Sequence, residues 1–136
     1  MNVQFAVAGA LALVGAAIHG VGGEALVVRK LHSEALAPTP FGGPRMTMLM
    51  IRVTWHITTL AFVVIGSALA VCAPAGRSRA CAGAGRVGAF SYASFAALAI
   101  GLSAAQGPRG LARAMRRHPG PLVFVLVAAL AWWGSA

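Results

Sequence analysis

Four ionisable side chains stand where apolar surroundings make them costly. His19 lies in Ile18-His19-Gly20-Val21-Gly22-Gly23-Glu24, and Arg52 and His56 lie in Arg52-Val53-Thr54-Trp55-His56. Such groups inside an apolar run cost about 2.5–3.5 kcal/mol each on insertion scales, so each needs a partner or a task. Arg52 and His56 are four residues apart and share a helix face. Glu24 is one of only two acidic residues in the chain.

Three chemistries fit this set. In the first, His19, Glu24, Arg52 and His56 form a polar cluster that joins two helices: Arg52 pairs with Glu24, and each imidazole bonds a backbone carbonyl or a threonine such as Thr54 or Thr59. In the second, His19 and His56 are axial ligands of a haem, with Gly15 and Gly20 leaving room for the macrocycle. The same histidines with Glu24 would instead make a two-nitrogen, one-carboxylate set for a divalent metal. In the third, His56 and Glu24 titrate beside Arg52 and move protons. Four short helices enclose no path alone, so this reading needs an oligomeric transporter. Met46 and Met50 share a face and would suit Cu(I), but methionine is also routine at the start of a span. The structural reading leads, with haem or metal as the first alternative.

The elements that position these residues follow from composition. Of 136 residues, 59% are apolar and 10% charged, whereas a soluble domain carries roughly a quarter charged residues. Four crossings of about 20 residues need about 80 residues, and the chain divides accordingly. The expected fold is all-α, an integral membrane four-helix bundle in a single domain over 1–136, with spans at about 3–23, 46–73, 87–106 and 119–135. Met1-Asn2 supplies no basic leader, so the first block reads as an uncleaved span. Pro38 to Pro44, Pro74 with Gly76, Gly107-Pro108 and Pro119-Gly120-Pro121 supply the breaks. Small residues at four-residue spacing, Ala8-Ala12-Ala16-Gly20 and Ala89-Ala93-Ala97-Gly101, favour close helix packing.

The net charge of +9 does not point to nucleic acid, because the cations collect between apolar blocks. Arg29, Lys30 and Arg45 lie in the first connection, Arg77, Arg79 and Arg86 in the second, and Arg109, Arg113, Arg116 and Arg117 in the third. The partner this pattern predicts is the lipid bilayer. The first and third connections are the more cationic, which places them in the cytoplasm and both termini outside. All but one of the cations are arginine, a usage that suggests a G+C-rich bacterium and hence a bacterial inner membrane. Gly110 to His118 reads as a basic segment on the inner surface.

On that topology His19 and Arg52 sit about 5 Å inside the cytoplasmic interface and His56 about 10 Å. Cys72 and Cys81 fall on the oxidising side, where a disulfide would staple the second hairpin. Aspartate is absent, and neither paired carboxylates, a phosphate-binding glycine loop nor a hydrolytic nucleophile with its base occurs. The reading therefore leans away from an enzyme. It favours a structural or accessory membrane protein that self-associates or joins a larger membrane complex.

Overall fold

A computed structural model describes residues 1–40, 42–75 and 78–136, without the side chains of Pro108, Gly110 and Arg117. Phe41, Gly76 and Arg77, assigned above to connections, lie outside the described residues. The chain is all-helical; among the described residues the only extended pairing is an isolated bridge between Thr39 and Gly42.

Helix α1 (Val3–Ala17) passes without a break into a π turn (Ile18–Gly22) and the short α2 (Gly23–Leu26). Two 3-10 turns follow, at Val28–Lys30 and Ser33–Ala35. Then come α3 (Pro44–Cys72), α4 (Arg79–Ala104), α5 (Pro108–Arg117) and α6 (Gly120–Gly134). Three helical runs are long and apolar enough to cross a membrane: Val3–Lys30, Pro44–Cys72 and Arg79–Ala104. Their exposed surfaces carry large apolar side chains, among them Val53, Ile57, Leu60 and Val64 on α3, as lipid contact requires.

Of the four expected spans, three have the length of a crossing, and the fourth, expected at 119–135, is short. Helix α6 has 15 residues, about 22 Å at 1.5 Å per residue, against a hydrocarbon core of about 30 Å. The first run outlasts its predicted end because no breaker follows Gly23, and helix persists to Lys30. The third begins at Arg79 and not Val87, since Ser78 caps it by accepting from the Cys81 amide at 3.1 Å.

The chain forms two compact units. The first comprises Met1–Leu13 with Ile65–Ala136, the second Val14–Val64. In the first unit small residues permit near contact of backbones. A Cβ added at Gly9 would stand 2.9 Å from the Gly66 carbonyl oxygen and the Ala70 nitrogen. Phe5, 1% exposed, is seated between Gly85 and Gly134. Helix α6 runs antiparallel along α4: Phe90 meets Trp132 edge-on at 5.9 Å, and Tyr92 meets Phe124 at 5.7 Å. The stripe Ala8 and Ala12 is buried as expected. In α4, however, the buried face runs through Gly85, Gly88, Ala89, Tyr92 and Ala96, and Ala93, Ala97 and Gly101 are exposed.

Asn2 organises one end of this unit. Its Oδ1 accepts from the Phe5 amide at 3.0 Å, capping α1, and its Nδ2 donates to the Gly134 carbonyl at 2.8 Å. The Asn2 amide donates to the Ala73 carbonyl, also at 2.8 Å. One side chain and its own backbone thereby tie the start of α1 to the ends of α3 and α6. Beside this knot Cys72 and Cys81 are joined in a disulfide, their Cα atoms 5.4 Å apart. Closing so short a loop stabilises by about 2–3 kcal/mol through the unfolded chain. Replacing both cysteines by serine should lower stability by that amount, read as thermal unfolding in detergent by circular dichroism.

Candidate functional site

The second unit holds all four residues of the expected cluster. Its local geometry begins with the π turn. The Gly23 amide donates to the Ile18 carbonyl, an i to i+5 bond, which inserts one residue into the helical register. The insertion changes the hydrogen-bonding order of the neighbouring carbonyls. The His19 carbonyl accepts from the Trp55 indole Nε1 at 3.1 Å, so a side chain from α3 serves a backbone group of the π turn.

The two rings also stack. The His19 imidazole lies 4.2 Å from the Trp55 ring, centroid to centroid, with 13° between their planes. Phe62 meets it edge-on at 5.5 Å, and Nδ1 is 2.9 Å from the Thr59 hydroxyl. The glycines of this segment make the approach possible. A Cβ at Gly20 would fall 2.7 Å from Thr59 Cγ2, and one at Gly23 would run into the Trp55 ring.

One turn further on, Glu24 lies between Arg29 and His56: Oε1 lies 3.6 Å from Arg29 Nε and Oε2 lies 3.7 Å from His56 Nε2. Glu24 Oε2 is buried without a hydrogen bond among the described residues, with the His56 ring beside it at 3.7 Å.

The cluster is thus gathered in part. Glu24 pairs with Arg29 and His56 and not with Arg52, which is exposed and makes no ion pair among the described residues. The reason is reach along the sequence: Arg29 lies five residues beyond Glu24, past the end of α2, and needs no crossing to another helix. His19 takes Thr59 in preference to Thr54. The set His19, His56 and Glu24 does not converge as a three-ligand metal centre, and among the described residues no three His, Cys, Asp or Glu side chains do. The Nδ1 of His19 is committed to Thr59 and its ring to Trp55, while His56 is turned to Glu24.

Trp55 and Gly23 are the site residues to which the sequence assigned no role. Gly20-Val21-Gly22-Gly23 facing a tryptophan-bearing helix was the available signal. The chain matches no protein-family model, no curated protein and no solved structure.

Proposed function

We propose that this is a small membrane protein of structural or accessory type, in which His19 is a joint between helices and not a cofactor ligand. The observation that carries the proposal is the His19–Trp55 stack, with both its ring nitrogen Nδ1 and its backbone carbonyl taken by α3. A side chain held by its face, its Nδ1 edge and its main chain is fixed against α3, as a joint requires. Glu24 and His56 complete the joint by the 3.7 Å approach of carboxylate to imidazole.

The test is spectroscopic and thermodynamic together. Protein purified in detergent should be colourless above 300 nm and free of stoichiometric metal. His19→Gln should lower stability by about 1–2 kcal/mol through loss of the stack, and His56→Gln, which keeps an N–H donor toward Glu24, should cost less. A Soret band abolished by either substitution would place the protein among haem carriers instead.

For topology we propose a bacterial inner membrane with both termini on the outer side. The Asn2–Gly134 bond and the neighbouring disulfide support one shared face, and a disulfide persists on the oxidising side. Reporter fusions at residues 1 and 136 should both be active outside the cytoplasm; opposite activities at the two ends would show that α6 does not cross.

A further inference from the structure

Beside the His19–Trp55 stack the second unit carries an open groove of about 470 Å3, within the usual size of small-molecule sites. Its walls include His19 and Thr39, with Met50, Thr54, Trp55 and Thr58 from α3, and no lining residue bears a formal charge. An anionic headgroup or a nucleotide therefore finds no counter-charge here. The lining suits instead a neutral molecule with an apolar body and one or two hydrogen-bonding groups.

The hydrogen-bond order of the site specifies those groups. The Thr59 hydroxyl donates to the Trp55 carbonyl at 3.2 Å, so toward His19 it acts as an acceptor. His19 Nδ1 must then carry the hydrogen of the 2.9 Å contact, and in the neutral ring Nε2 is left with its lone pair. A ligand meets His19 by donating an O–H. In the same lining Thr39 Oγ1 is buried with no hydrogen-bond partner among the described residues, a state that native hydroxyls rarely keep. The Trp55 indole and the Met50 thioether add an aromatic and a polarisable surface to the lining.

We infer that this groove binds a neutral, membrane-dissolved aromatic alcohol of the quinol type, its hydroxyl donated to His19 Nε2 and a second oxygen held by Thr39. The inference goes beyond the scaffold role: His19 serves as joint through Nδ1 and as acceptor through Nε2.

The experiment uses the full chain with Trp132→Phe and Trp133→Phe, which leaves Trp55 as the indole reporter, in phosphatidylcholine vesicles. The probes are an alkylated bromophenol, whose heavy atom quenches indole emission, and its methyl ether. Quenching by the phenol should saturate, and the ether, lacking the O–H, should bind about tenfold more weakly. His19→Phe keeps a stacking ring without the acceptor and should weaken the phenol by about tenfold; Thr39→Val should weaken it severalfold. Should His19→Phe fail to fold, Thr39→Val with Thr58→Val decides the matter. Quenching that rises linearly for both probes signifies partition into lipid alone and overturns the site. Equal saturable binding of phenol and ether, or binding indifferent to these substitutions, overturns it as well.

Discussion

Trp55→Ala is expected to lower stability by about 3 kcal/mol, the largest loss from any single change in the second unit. Three effects combine at this side chain. The indole covers the His19 imidazole at 4.2 Å, its N–H satisfies the His19 carbonyl in the π turn, and its ring fills the space that Gly23 leaves open. Large aromatic-to-alanine changes in packed sites cost about 3–5 kcal/mol, and an unserved carbonyl in an apolar setting adds to the loss. Thermal unfolding in detergent measures the total. Trp55→Phe separates the terms, because it keeps the stack and removes the donor, and should cost about 1 kcal/mol. Trp132, half exposed on α6, is the control, and its replacement should cost much less. Equal losses at Trp55 and Trp132 would mean that the π turn needs no support from α3.

Phe5→Ala should destabilise the first unit by about 3–5 kcal/mol. Phe5 is 1% exposed and stands against two glycines from different helices. A Cβ on Gly85 would come within 2.7 Å of its ring, and one on Gly134 within 2.6 Å. Both distances are shorter than carbon atoms tolerate, so Gly134→Ala in the native background should itself cost about 1–3 kcal/mol by overpacking. In the Phe5→Ala background the added methyl enters vacated space, and most of that cost should vanish. A double-mutant cycle on thermal stability reads the difference as a coupling of about 1 kcal/mol or more. Additive losses would show that ring and glycines are not in register as described.

The apolar blocks, the breakers and the absence of strand alternation together determined that this chain is helical and carries runs long enough to cross a bilayer. These properties are legible because they are local: they depend on hydropathy over some 20 residues and on where proline and glycine fall. The cysteine pair was legible for the same reason, being held near in space by a short connection.

Partner choice inside the second unit was not local, and there tertiary structure decided. Arg29 is a sequence neighbour of Glu24, but that Glu24 meets His56 of α3 and leaves Arg52 outside depends on the rotation of one helix about its axis, and one inserted residue alters that rotation by about 100°. The π turn at Ile18–Gly22 is such an insertion. Trp55 from α3 serves a carbonyl of this turn, a contact between residues 36 apart. Hydrophobic periodicity reports which face of a helix is apolar; it carries no information on a shift of register that a side chain from elsewhere makes affordable. Likewise Ala93, Ala97 and Gly101 share their spacing with the buried stripe of α1, but Phe5 of α1, Ile65 and Leu69 of α3 and Phe124 of α6 select Gly85, Gly88 and Tyr92 in their place.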